Sequence, residues 1–534
     1  MLQRFFSGRG FYLGDMFEQA AGRHGGVTVA LDKPLDVAPS AGTGHTYRTI
    51  ADLVEALAAQ LWAAGVRPTE RVTLYKSDNF DLALLTCALS RIGAVPALLS
   101  PTLDGTVVVE LLRRLDRPWL ITDAAKLAGP LQGPALTGLT RQILVVGADA
   151  EQAAHEVGGM PLAKFHGAER RPPVHLAVRE PSLITHSSGT TGIPKLAVHC
   201  PNAMWNRLVP QKVMGWPTRG ETAAICISYV HSRFYHLLGV LLRNGSPLLA
   251  MVDHDPRSVG PLLEKARPGI VETHPNTFVL WEDLADAPGH PLSTVRHYGS
   301  TFDAIHPRTV QRLLGASTRR RPWLMQLYGQ SETGPVAARF FTRSSAAKAN
   351  GRLVGTGLPG FTRVRVVDDA GRPLPRGEHG HIEARTRGRI LTYLGAEQQY
   401  AEQLNDGWWR MGDVGSIGRW GTLYLEDREI DQIDSVDSNL ELEDVLMSRL
   451  EELREIVIVP GGSGEPVPVV CTRDDRPLSP ERWQRAVAGL PALAEPVVCR
   501  FDDLPRTGTW KIKRVEIARL FSEGRSLAGN WVAG

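Results

Sequence analysis

The sequence predicts an α/β protein of unequal parts: a large N-terminal domain of parallel α/β sheets with a β-rich subdomain, then a small C-terminal α+β domain. Three observations predict it. Short apolar strands alternate with helical patterns up to about residue 350, which is how a parallel sheet reads in sequence. From Gly351 the pattern changes to closely spaced strands joined by turns. After a charged stretch, 426–444, roughly a hundred residues remain, enough for a small domain.

The elements follow in order. Thr49 is positioned to cap a helix whose Ile50, Leu53, Val54, Leu57 and Leu61 share one face. A strand at 71–75, a helix at 80–92 and a strand at 94–99 come next. The run 82–99 is the most apolar long stretch, but Arg91 interrupts it, so it predicts a buried helix and strand and no membrane span. Further strands are expected at 119–122, 143–146, 182–186, 223–227, 248–252 and 324–327. In the β-rich part, 361–367 and 381–386 flank the turn Asp368-Asp369-Ala370-Gly371, and 416–424 forms a hairpin around Arg419-Trp420-Gly421. The domains are expected to be 1–427, with the β-rich subdomain at 351–426, and 428–534.

Composition narrows the class. A chain of 534 residues with 43% hydrophobic and 22% charged residues is expected to be a multi-domain globular enzyme. A net charge of +3 without a basic run argues against nucleic acid as a partner. Five widely spaced cysteines without a C-x-x-C pair argue against a disulfide framework or a zinc site. Arg4, Arg9 and Asp15 interrupt any apolar leader, so the expected compartment is the cytoplasm.

The strongest chemical signal is Ser187-Ser188-Gly189-Thr190-Thr191-Gly192-Ile193-Pro194-Lys195, directly after a strand. Its glycines let the backbone turn and aim N–H groups at an anion. Four hydroxyls and the Lys195 ammonium add donors for phosphate oxygens. Lys195 follows Pro194, so this is not a Gly-Lys-Ser/Thr nucleotide loop. The plain alternative is a Ser/Thr/Gly surface loop.

This loop resembles the phosphate loop of the adenylate-forming superfamily: acyl-CoA synthetases, peptide-synthetase adenylation domains and luciferases. Other segments resemble the family in the same order, over roughly Thr46 to Leu520. The resemblance implies phosphate contacts from Ser187, Ser188, Gly189, Thr190, Thr191, Gly192 and Lys195, with Thr191 counted among the catalytic groups. Tyr328-Gly329-Gln330-Ser331-Glu332 is similar to the family's Tyr-Gly-x-Thr-Glu segment. It implies adenine stacking at Tyr328 beside Gly329, a phosphate-reaching hydroxyl at Ser331, and Glu332 as a Mg²⁺ ligand. Asp413 in Met411-Gly412-Asp413 resembles the ribose-binding Asp, and Arg428 the arginine near ribose and phosphate. Lys511, in Thr507-Gly508-Thr509-Trp510-Lys511, falls at the catalytic lysine, with Trp510 where the family usually has Gly. The resemblance puts the acid pocket near Arg233, Tyr235 and His236 and near Gly299, Ser300 and Thr301. His236 takes the place of a gating histidine. Arg233 reads equally as an anion anchor or as a surface arginine at a helix start; His231 reads as structural.

The hinge departs from the family. Asp427, Asp434 and Asp437 replace Gly, Lys and Gly, and Glu426, Glu429 and Asp431 add to an acidic strip. An acidic strip repels the phosphates of CoA within a Debye length of roughly 8 Å. The bland alternative is a solvated loop.

The resemblance therefore implies an AMP-forming ligase using ATP and Mg²⁺. It would activate a small carboxylic acid or other oxyanion, and a rotating, mobile C-terminal domain would pass the adenylate to a thiol of CoA or of phosphopantetheine on a carrier protein. Two alternatives stay open. One is a non-thiolating relative that uses an amine, either as an amide ligase or as a diazotase that activates nitrite. The other is a nucleotide-binding protein without catalysis.

Overall fold

Alternation of apolar strands with amphipathic helices builds two sheets that share the core. A computed structural model of the chain describes residues 9–187, 192–347, 350–433, 435–461, 464–508 and 510–523, with Arg525 and Leu527. The helix expected after Thr49 is Tyr47–Ala64, and it starts one turn earlier. Thr46 is its N-cap: its hydroxyl accepts from the Thr49 N–H, while the Thr49 hydroxyl accepts from the Thr46 N–H at 2.9 Å. Two threonines three residues apart can cap each other reciprocally, so the first of them starts the helix. Gly65 ends it with φ +110°, a conformation that favours glycine.

The apolar run resolves into the helix Asp81–Arg91 and the fully buried strand Val95–Leu98. Arg91 is buried against Glu18 and Glu55 at 2.6 and 2.9 Å, which satisfies the charge that interrupts the run. No described helix is long and apolar enough to cross a membrane.

The smaller of the two sheets has eight strands. Its centre is parallel, with Arg71–Leu74 between Val95–Leu98 and Trp119–Asp123. Leu183–His186 joins parallel to Val95–Leu98, and Leu196–His199 returns antiparallel beside it. The larger sheet has 14 strands. Ala223–Cys226, Ile270–Thr273, His297–Ser300 and Trp323–Gln330 run parallel. The chain then reverses into Gly334–Thr342 as a long hairpin, and from there the sheet is antiparallel. The β-rich stretch is thus continuous with the parallel sheet, because the hairpin leaves a strand edge that the next strands pair onto. Thr392–Leu394 crosses to the other sheet and pairs with Leu196–His199.

The last part is a three-stranded sheet of Leu453–Val459, Val467–Thr472 and Val497–Val498, flanked by Asn439–Arg449, Pro480–Val487 and Arg514–Ser522. It docks on the larger part through charge. His306 bridges Asp444 and Glu455 at 2.9 Å each, and Asp283 pairs with Arg454 at 2.9 Å. All five cysteines are buried free thiols.

Candidate active site

A cavity of about 410 Å³ opens where the parallel strand ends of the larger sheet meet the phosphate-loop strands and the C-terminal part. Lys195, Arg207, Arg233, Arg410, Arg428 and Lys511 line it, against Asp303, Glu332, Asp413 and Glu429. Cations outnumber carboxylates, which suits a polyanionic ligand.

The base of the phosphate loop is locked. Ser187 N–H donates to the Lys195 carbonyl at 2.9 Å, and Lys195 N–H donates back to the Ser187 hydroxyl at 3.0 Å. Ser188, Gly189, Thr190 and Thr191 lie outside the described residues, and Gly192 follows with φ +138°. The Lys195 ammonium stands 5.1 Å from the centre of the Tyr393 ring. The Tyr393 hydroxyl donates to Glu332 at 2.6 Å. This fixes one carboxylate oxygen of Glu332 and leaves the carboxylate in the cavity wall as a hard oxygen donor. No group of three or more His, Cys, Asp or Glu that could hold a metal ion occurs among the described residues. That donor set fits Mg²⁺, which is commonly held by one or two carboxylates plus substrate phosphates.

Arg207 organises this corner, and nothing in its local sequence announces it. It is 3% exposed, on the helix Pro201–Met214. It donates to the carbonyls of Ser331 and Glu332 at 2.9 Å each, to the Gly388 carbonyl at 2.6 Å and to the Ser232 hydroxyl at 3.1 Å. A Cβ at Gly334 or Gly388 would lie 2.8 or 2.7 Å from its side chain, so both glycines make its room. Burial pushes its pKa down to about 10, against the pull of Glu332.

The opposite wall holds Tyr328 and Asp413. The Tyr328 hydroxyl donates to the Asp413 carboxylate, and Arg428 faces Asp413 across the strand pair at 3.8 Å. Burial raises the Asp413 pKa, with Arg428 opposing that shift. Gly329 and Ser331 line the same wall.

Lys511 lines the cavity from a loop closed by the Thr507 N–H on its carbonyl at 2.8 Å. Trp510 has φ +60°, the left-handed conformation in which a glycine is unstrained. The backbone expected for glycine is therefore kept despite the tryptophan. Its ring packs on His254 with centroids 4.1 Å apart, and the Asn276 amide donates to its carbonyl at 2.5 Å.

The acid-pocket expectation is partly corrected. Arg233, His236 and Thr301 line the cavity. Tyr235 does not: it is 0% exposed in the core, because its side of the helix Ser232–Asn244 faces inward, and its hydroxyl donates to the Tyr229 carbonyl at 2.8 Å. Gly299 and Ser300 stand behind the wall rather than in it, on the strand His297–Ser300. A Cβ on Gly299 would lie 2.6 Å from the Glu272 carboxylate, so this glycine makes room for Glu272. His236 meets the Met204 carbonyl at 3.2 Å, and burial pushes its pKa down to about 3. His231, expected to be structural, lines the cavity with Nε2 unpartnered among the described residues.

The hinge is also less open than its composition suggests. Glu426 pairs with His379, and Glu429 with Arg410 and His381. Asp427 accepts from the Asn439 N–H at 2.8 Å, and burial raises its pKa to about 7. Asp437 is exposed, and Asp434 lies outside the described residues.

With this geometry in place, the comparisons are specific. The sequence model of the AMP-binding enzyme family matches residues 17–394. The chain is 58% identical, over 98% of each chain, to a 3-amino-2-hydroxy-4-methoxybenzoate diazotase of Streptomyces cremeus. It is 25% identical to a 3-aminoavenalumate diazotase of a Streptomyces species, over 92% of this chain and 94% of that one. Its fold resembles that of the amide bond synthetase McbA from Marinactinospora thermotolerans, with a TM-score of 0.75 at 23% identity, covering 96% of this chain and 100% of that one.

Proposed function

The chain belongs to the AMP-binding enzyme family and is an adenylate-forming ligase; from that premise we propose that the oxyanion it activates is nitrite and that the nucleophile is the amine of an aminobenzoate. The observation that carries this is the 58% identity to a diazotase along essentially the whole chain.

The chemistry balances. A nitrite oxygen attacks the α-phosphorus of ATP, and the bond to pyrophosphate breaks. The arylamine lone pair then attacks the nitrosyl nitrogen, and the N–O bond breaks with its electron pair leaving on AMP. The nitrosated amine rearranges to a diazohydroxide and loses water, giving the diazonium ion. One ATP, one nitrite and one amine yield one diazonium, one AMP, one pyrophosphate and one water, without redox change.

In this reading the loop 187–195 and Lys195 hold the phosphates, Thr191 among them. Tyr328 borders the adenine, Asp413 holds the ribose hydroxyls, and Arg428 steadies Asp413. Mg²⁺ would be held by Glu332 and would neutralise charge on the phosphates. Lys511 stabilises the charge that develops at the α-phosphate, a positioning and electrostatic contribution that can supply most of the rate. The chain up to the strand Thr422–Arg428 carries the nucleotide site, one residue beyond the 1–427 expected, and the C-terminal part acts as the lid that delivers Lys511.

The test is to supply ATP, isotopically labelled nitrite and 3-amino-2-hydroxybenzoate, and to trap the product with a naphthol coupler. An azo dye with one labelled nitrogen and stoichiometric AMP is expected. Absence of dye, with thioester formed on adding CoA, would overturn the proposal.

A further inference from the structure

Arg233 occupies the cavity wall paired with a buried carboxylate. It lies in the first turn of the helix Ser232–Asn244, with its side chain 10% exposed, and Glu272, on Ile270–Thr273, lies 1% exposed behind it. Arg233 Nε donates to one Glu272 oxygen at 2.6 Å and a terminal nitrogen donates to the other at 2.7 Å. The second terminal nitrogen donates to the Gln211 side-chain oxygen. A guanidinium has five N–H donors. Three are committed here, and two have no acceptor among the described residues. The remaining exposure of the side chain is onto the cavity.

The fork is held from two sides. Glu272 fixes its plane, Gln211 fixes its rotation, and the missing side chain of Gly299 makes the space for Glu272. Arg207 is no substitute, because its donors already serve three carbonyls and a hydroxyl. Arg233 helps hold down the pKa values of His236 and His297, both pushed to about 3 chiefly by burial, so these imidazoles are neutral there. The charge of Lys511 acts instead on His231, His274 and Asp413. The two cations are held by different elements of one cavity wall: Arg233 by Glu272 and Gln211, and Lys511 in the C-terminal loop whose Trp510 packs on His254.

Resting on the diazotase reading, we propose that Arg233, clamped by Glu272 and Gln211, anchors the ring carboxylate of the arylamine substrate. A carboxylate matches two parallel guanidinium donors in both geometry and charge. The Arg233–Glu272 pair is neutral as a unit, so charge alone draws a small free anion such as nitrite weakly, whereas a carboxylate carried on an aryl ring also buries that ring in the cavity. An aminobenzoate held this way has its carboxylate committed to Arg233 rather than offered to Lys511. The acid group is thereby withheld from adenylation, and the amine is left to meet the nitrosyl adenylate. The pair thus fixes which end of a two-ended substrate reacts.

The experiment compares 3-amino-2-hydroxybenzoate with 2-aminophenol, its counterpart without the carboxylate, at saturating ATP and nitrite in the full chain. Wild type should prefer the acid in kcat/KM, mainly through KM. Arg233→Gln should erase about 10- to 100-fold of that preference, and Arg233→Lys, which keeps charge but not the fork, should fall between. Misfolding would lower both substrates equally, so the ratio is the readout. Diazonium formation with a ratio unchanged by Arg233→Gln would overturn the anchor and leave the diazotase intact. No diazonium from either amine in wild type would overturn both.

Discussion

Replacing Tyr393 with Phe tests how the site holds Glu332. The hydroxyl donates to a Glu332 oxygen at 2.6 Å, and Glu332 is 7% exposed. Only the hydroxyl is lost: the ring stays packed between Tyr400 and Trp409 and keeps its contact with the Lys195 ammonium. A hydrogen bond to a charged group contributes about 1.5–3 kcal/mol, so if that energy orients the carboxylate for the metal–phosphate complex, the rate should fall by roughly 10- to 150-fold. The assay is ATP–pyrophosphate exchange across a Mg²⁺ titration, with the thermal midpoint as the control for folding. Tyr393→Phe should lower the exchange rate and raise the Mg²⁺ concentration needed for half-maximal exchange. Exchange and Mg²⁺ dependence both equal to wild type would refute the reasoning.

Three further predictions follow from contacts made far apart in sequence. Arg207→Lys can offer three donors where four acceptors stand, so at least one buried acceptor is stranded at about 1–3 kcal/mol; a lowered thermal midpoint and weaker exchange are expected, and an unchanged midpoint would contradict the role. At Trp510, a left-handed non-glycine residue carries about 1–2 kcal/mol of strain, which the ring offsets by packing on His254. Trp510→Gly relieves the strain while losing the ring, and Trp510→Ala loses the ring and keeps the strain, so the alanine variant should melt lower than the glycine variant; the reverse order would sink the idea. His306 is buried, which disfavours its charged form, yet Glu455 and Asp444 outweigh burial and hold its pKa well above the usual histidine range. Its stabilising contribution should be complete below a pH of roughly 6.5 and decline as pH rises through the elevated folded value. The gap in thermal midpoint between wild type and His306→Gln should shrink at alkaline pH, and a flat gap would contradict the bridge.

Much of the fold was legible because its signals are local. Apolar strands such as 95–98 and 183–186 stand out by composition, and the phosphate loop by its glycines and hydroxyls. The helix start was misread by one turn because Thr46 and Thr49 are both capping residues, and only the reciprocal bond decides between them. Tyr235 and His236 are neighbours in sequence, but successive helical residues point about a quarter-turn apart, so one faces the core and the other the cavity. The supports of the site were hidden by distance. Glu332 meets Tyr393 61 positions later, Arg233 meets Glu272 39 positions later, and Arg207 reaches the Ser331 carbonyl across 124. No periodicity encodes such pairs, and they exist only once both sheets are assembled. The pairing of the acidic hinge was hidden for the same reason, since Glu426 and Glu429 meet His379, His381 and Arg410 on other strands.

The central claim is that nitrite is the oxyanion that meets the α-phosphate. ATP–pyrophosphate exchange with nitrite alone, without any amine, tests it most directly. Label should return from pyrophosphate to ATP when nitrite is present, and aminobenzoate alone should give none. Exchange driven by the aminobenzoate carboxylate, with nitrite inert, would contradict the account.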